Sequence, residues 1–223
     1  MKLDIFTSTV SDGSMKSKDG DQSVAQTNRT NFLQKNGLSP ESTTLHTLSY
    51  GGDDYCRYLE LTDELKGDGI LRDSTIDADA VVVTKPEHAV LLPLGDCVGA
   101  VIHDTYQNIV MVSHLGRQNL EQHGGTKCIK HLVEKYNVNP NNLTAWLSPA
   151  AGKDNYPMEA FDGRGLQDVA MEQLLNAGIP PTSISITKDD TTTDANYFSH
   201  SEFLKGHRPE DGRFCIVAVM HED

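Results

Sequence analysis

The sequence predicts an α/β protein, and three observations predict it. Short β-branched runs recur at Ala80–Thr84, Val98–His103 and Ile109–Ser113, each bounded by Asp, Gly, Pro or Asn, the pattern of buried strands. Longer segments at Gln118–Tyr136 and Gly165–Ala177 carry apolar stripes at helical spacing. The length of 223 residues, with 37% hydrophobic and 23% charged side chains, suits one globular domain with a sizeable core, so residues 1–223 read as a single domain.

The elements follow in order. Residues 2–8 read as a first strand and residues 11–20 as a polar loop rich in Gly, Ser, Lys and Asp. Ser23–Gln34 reads as a helix stopped at Gly37. Thr43–Ser49 and Tyr55–Leu61 read as two strands about a hairpin-like turn, Gly51-Gly52-Asp53-Asp54. Val98–His103 and Ile109–Ser113 form a hairpin if the chain turns at Tyr106-Gln107-Asn108. The helix at 118–136 shows a stripe of Leu120, Ile129, Leu132, Val133 and Tyr136. Leu143–Leu147 is a strand holding the only Trp, and Gly165–Ala177 is a helix ended by Gly178-Ile179-Pro180. Thr182–Thr187 and Phe214–Met220 are strands that close the core. Between them, Asp189–Gly212 is a long polar loop of the kind that is commonly functional.

Composition removes some partners. A net charge of −13 argues against nucleic acid and anionic membranes, though not against a small anion in a local basic pocket. The four cysteines, 56, 97, 128 and 215, show no paired spacing, which suggests reduced thiols. No apolar signal core follows Met1-Lys2, and no run approaches a membrane span. The expectation is a soluble cytoplasmic protein. Nothing in the sequence fixes an oligomeric state.

The chemistry centres on Cys97 and His114. With the turn near residues 105 and 106 the two are almost equidistant from it, which sets them as cross-strand neighbours about 5 Å apart. A thiol and an imidazole so placed suit either a nucleophile–base dyad or two ligands of a metal. The plainer alternative is a small apolar filler beside a hydrogen-bonded histidine. Gly95 and Gly116 flank the pair where a ligand or another backbone can come close. A helix starting directly after His114 would aim free N–H groups at an anion.

These residues also carry a resemblance. Gly95-Asp96-Cys97, then His114-Leu115-Gly116-Arg117-Gln118-Asn119, then Ser148-Pro149-Ala150-Ala151-Gly152 stand in the order and spacing of three family blocks: Ala-Asp-Cys, His-Ala-Gly-Trp-Arg-Gly and Gly-Pro-Ala-Ile-Gly. Asp79-Ala80 with Thr84, Tyr156, Met158, Asn28-Arg29, Tyr197-Phe198-Ser199 and Gly212-Arg213 match further positions. The chain thus resembles the YfiH-like, or laccase-domain, family, known as multicopper polyphenol oxidases and as purine nucleoside phosphorylases. It departs at Thr9, where the family has Arg, at Ser201-Glu202, where the family has Arg-Arg, and at Arg117, an arginine moved by one residue. At Tyr50 or Gly51, depending on register, the family's third metal-binding histidine is missing.

The resemblance implies an α/β fold of mixed sheets with helices outside, shared with Cys–His hydrolases of the cytotoxic-necrotizing-factor type. It implies phosphate-dependent cleavage of adenosine, inosine or guanosine, with adenosine deamination as a side activity. Cys97 and His114 would be the catalytic residues. Arg29 and Arg117 would meet phosphate, Tyr197 or Phe198 the base, and Asn28 and Ser199 would complete substrate binding. Phosphate would be co-substrate, and zinc would sit in an incomplete site on Cys97 and His114 unless His46, Cys56 or a residue of 189–212 finishes it. Two other readings stand beside this one: a metal-free cysteine hydrolase using the same dyad, and a non-catalytic ligand-binding relative. Copper oxidation is the least attractive, because one Cys and one His do not make its multi-site ligand set.

Overall fold

Alternation of side chains sorts the chain into four layers. In the computed structural model, which describes residues 1–16 and 21–222, strand β10 (Phe214–His221) turns Phe214, Ile216, Ala218 and Met220 to one side and Cys215, Val217 and Val219 to the other. It lies inside a four-stranded sheet of order β1-β10-β5-β2, with β1 (Lys2–Thr7), β5 (Ala89–Leu94) and β2 (Thr43–Leu45). The second sheet has order β3-β4-β7-β6-β8-β9. Its strands are β3 (Tyr58–Glu60), β4 (Ala80–Val83), β6 (Val98–Asp104), β7 (Ile109–Leu115), β8 (Leu143–Leu147) and β9 (Ile184–Ile186). Its centre is antiparallel and its two outer pairings are parallel.

Helix α1 (Gln22–Lys35), capped by the Asp21 carboxylate accepting from the Ser23 and Val24 amides, buries Phe32 and Leu33 on the outer face of the smaller sheet. The two sheets meet through Val81, Val110 and Val112 against Leu92, Phe214 and Ile216. Helices α2 (Arg117–Glu121), α3 (Gly124–Tyr136) and α4 (Leu166–Asn176) cover the far face of the larger sheet with Leu120, Ile129, Leu132, Val169 and Leu174. A last short helix, α5 (His200–Leu204), lies inside the expected 189–212 loop. Mixed sheets with helices outside is therefore the architecture. Among the described residues no helix is long and apolar enough to cross a membrane.

Several elements differ from the sequence reading. The segments at 43–49 and 55–61 shrink to β2 and β3, and these belong to different sheets, each pairing in parallel with a later strand. The turn between them is a crossing from sheet to sheet, not a hairpin. The helix expected over 118–136 is two helices, broken where His123 takes φ 61. Close packing accompanies that break: a Cβ on Gly124 would stand 1.8 Å from Asn119 Oδ1. Strand β5 was hidden by Pro93, which punctuates the run; Pro93 lies past the end of β2, so no strand on that side needs its missing N–H. The loop read at 11–20 falls partly outside the described residues.

Candidate active site

The hairpin β6–β7 places Cys97 and His114, but in a register displaced from the one expected. Asp104 pairs with Ile109 across a four-residue loop closed by Asn108 at φ 55, so His114 faces Gly99, and Cys97 lies two residues further along. A displacement of two keeps both side chains on the same face. They are diagonal neighbours, on the face turned toward the other sheet, at the end where the sheets part. Gly116 draws them together: a Cβ there would lie 2.6 Å from His114 Cε1, 3.3 Å from His114 Nε2 and 3.1 Å from Cys97 Sγ. The Arg117 amide donates to the Cys97 sulfur. Helix α2 has only five residues, so the expected helix-dipole anion site does not form; its first amide serves the thiol.

The pair forms part of the wall of a cavity of about 580 Å³, with His46, Tyr50, Tyr55, Tyr156 and Arg117 around it. Burial, reinforced by the nearby His46, pushes His114 down to about 4. Burial, reinforced by the Asp96 carboxylate, pushes the Cys97 thiol up to about 12. In this protein environment the pair is a neutral thiol beside a neutral imidazole. Two buried carboxylates fix the walls. Asp79 accepts Arg57 Nε at 2.8 Å and Nη2 at 3.2 Å, and its backbone carbonyl accepts the His114 amide at 2.8 Å. Asp96 accepts Thr191 Oγ1 at 2.9 Å, Ser199 Oγ at 2.7 Å and the Ser201 amide at 2.7 Å, tying the 191–201 segment to the cavity.

A thiol and an imidazole side by side are a donor pair for a metal, which needs further ligands around them. Among the described residues no three His, Cys, Asp or Glu side chains gather into a metal-holding group. Tyr50 stands beside His114, ring centroids 6.2 Å apart, on the chain segment where a third histidine would be wanted. His46 also lines the cavity and lies close enough to His114 to help push it down. Its Nε2 donates to the Ala78 carbonyl at 2.9 Å, which leaves Nδ1 an unpartnered buried acceptor. Cys56 lies outside the cavity lining, its sulfur 3.8 Å from Asn119 Nδ2. The donor set among the described residues does not fit a three-ligand zinc site.

Of the six residues expected from sequence to bind substrate, Asn28, Arg29, Arg117, Tyr197, Phe198 and Ser199, Arg117 alone lines the cavity. Arg29 is buried beneath α1, its guanidinium donating to the carbonyls of Met15 and Lys16 at 3.4 and 3.1 Å. It shapes the segment that brings Lys16 to the cavity and does not face it. Asn28 donates to the Ser14 carbonyl at 3.0 Å. Tyr197 packs edge-on against Phe214 and donates its hydroxyl to Asp189, while Phe198 is buried under Gly212. Ser199 caps α5 and supports Asp96. Sequence reasoning missed Lys16, His200 and Arg213, which also line the cavity. A signal existed only for Arg213, in the matched Gly212-Arg213 block.

Comparison with known proteins bears on the site. A family model described as multi-copper polyphenol oxidoreductase laccase matches residues 8–164. A curated protein named purine nucleoside phosphorylase, from Corynebacterium glutamicum, is 26% identical over 176 residues. That match covers 79% of this chain and 64% of the relative, under two thirds of its length. Two solved structures share the fold. The hypothetical protein YfiH of Bacillus licheniformis has a TM-score of 0.84 at 17% identity, covering 98% of this chain and 92% of the other. YlmD of Geobacillus stearothermophilus has a TM-score of 0.82 at 18% identity, covering 94% and 85%.

Proposed function

This chain belongs to the multi-copper polyphenol oxidoreductase laccase family, and from that premise we propose that it cleaves purine nucleosides with phosphate. A phosphate oxygen bonds to C1′ of the ribose, the N-glycosidic bond breaks, and its electron pair leaves with the base. The proton of the hydrogen phosphate ends on the base nitrogen, giving ribose 1-phosphate and the free purine. The Corynebacterium relative, named a purine nucleoside phosphorylase, supports this reading. The observation that carries it is the convergence of Cys97 and His114 over Gly116 in the wall of a cavity that also holds tyrosine rings and arginines.

The cavity volume lies within the range of small-ligand sites, about 300–1,000 Å³. Tyr50, Tyr55 and Tyr156 offer apolar faces to a base, and the cations offer charge to phosphate. Cys97 and His114 hold the reacting centre: the S–H donates a hydrogen bond and the neutral imidazole orients a polar group of the substrate. The cysteine-hydrolase alternative asks for a thiolate near neutral pH, and the burial that pushes this thiol up to about 12 works against one.

The test is incubation with adenosine, inosine and guanosine, with and without phosphate, following free base and ammonia. Base released only with phosphate, and abolished by Cys97→Ala and by His114→Ala, is the expected result. Ammonia from adenosine would add deamination, in which water replaces the 6-amino group. No consumption of any nucleoside overturns the proposal.

A further inference from the structure

Among the cations around the cavity, one group is held in place and another is not. The geometry points to an oxyanion site on the Gly95 side, formed by the Nε–Nη2 edge of Arg213 with Lys16 and His200 beside it, and with Asp211 as the positioning residue. Its role as the phosphate subsite rests on the phosphorolysis reading; its place rests on the contacts alone. Asp211 accepts from Lys16 Nζ at 2.6 Å and from Arg213 Nη1 at 2.6 Å, and lies 2.8 Å from His200 Nδ1. One carboxylate cannot neutralise both a lysine and an arginine, so the cluster keeps positive charge in a chain whose net charge is −13.

Arg213 Nη1 donates to Asp211 and, at 2.7 Å, to the Gly212 carbonyl. Its Nε and Nη2 have no protein partner among the described residues. That edge presents two parallel N–H groups, the arrangement that matches two oxygens of a phosphate. The space before it is kept by Gly95, where a Cβ would stand 3.3 Å from His200 Cβ and 3.4 Å from Arg213 Nε. Arg213 is also close enough to Cys97 to favour charge on its sulfur, which places the fork beside the reacting pair.

Arg117 offers the contrast. It is exposed, and no carboxylate holds its guanidinium among the described residues. Binding an anion there would first require ordering a long side chain, a cost that the Asp211 hub has already removed for Arg213.

The experiment titrates the full chain with inorganic phosphate alone by calorimetry. It compares wild type with Arg213→Ala, Arg213→Lys, Lys16→Ala, Arg117→Ala and the exposed Lys130→Ala, each checked for folding by circular dichroism. Arg213→Ala should weaken phosphate about tenfold or more, the effect of one charge-assisted hydrogen bond. Arg213→Lys should recover only part, since charge returns without the fork. Lys16→Ala should weaken it less, and Lys130→Ala not at all. The inference is overturned if wild type does not bind phosphate, if Arg213→Ala binds like wild type, or if only Arg117→Ala loses binding. Phosphate held through Arg213 without nucleoside cleavage would sustain the site and sink the phosphorolysis reading. Cleavage whose phosphate KM ignores Arg213→Ala would do the reverse.

Discussion

Adding one methyl group at Gly116 tests the whole site. The residue sits at φ −87 and ψ 176, a conformation alanine adopts freely, so Gly116→Ala brings no backbone strain. The new Cβ would stand 2.6 Å from His114 Cε1 and 3.1 Å from Cys97 Sγ, against ordinary contacts of about 3.5–4 Å. The imidazole must retreat by roughly 1 Å to reach such a contact, and it is only 5% exposed, with packed atoms behind it. Overpacking of this kind costs about 1–3 kcal/mol, and a less flexible unfolded chain returns about 0.4–1 kcal/mol. The net loss of roughly 1–2 kcal/mol should lower Tm by about 2–8 °C for a chain of this size. Activity should suffer far more, because a misplacement of ~1 Å in a reacting group can cost about a hundredfold in rate. Thermal unfolding and phosphate-dependent base release, measured on wild type and Gly116→Ala, separate the two effects. A folded variant with kcat/KM within about twofold of wild type would refute the reasoning, since the pair would not then hold the reacting centre.

Three further outcomes follow from the same contacts. Burial holds His46, His88 and His114 at about 4 when folded, against an ordinary 6.5. The unfolded chain takes up protons first, so the stability is full above pH 6.5 and declines toward pH 4, by about 1.4 kcal/mol per pH unit for each histidine; urea midpoints that stay flat across this window would contradict neutral burial. Iodoacetamide should label Cys97 slowly at pH 7.5 and faster past pH 9, as a thiol pushed up to about 12 requires; a rate already level by pH 8 would reveal a thiolate and favour the hydrolase alternative. Protein purified without a metal-binding tag should carry less than one zinc per chain, because among the described residues no third ligand joins Cys97 and His114. One tightly held zinc with a third protein ligand would overturn that expectation.

The strands at 80–83, 98–104, 109–115 and 214–221 were legible because they are buried on both faces, which forces continuous β-branched and apolar runs. Cys97 and His114 were legible together for a local reason. A short loop limits the register of a hairpin, and an error of two residues still leaves both side chains on one face. Gly116 could likewise be read as a point of close approach, and it is where the thiol and the imidazole meet.

Which face a side chain takes outside a hairpin was not legible. Arg29 and Phe198 sit in matched blocks, yet packing turns one under α1 and the other under Gly212. The two segments around Gly51-Gly52 looked like a hairpin because each reads as a strand, but their partners lie elsewhere along the chain. The cationic cluster is the clearest case. Lys16 and Asp211 are separated by 195 positions, and no spacing rule relates them. Sequence periodicity encodes neighbours only over the few residues that one element or one turn spans. The contact between Lys16 and Asp211 exists only once the smaller sheet has formed and carried both ends of the chain to the same side of the cavity.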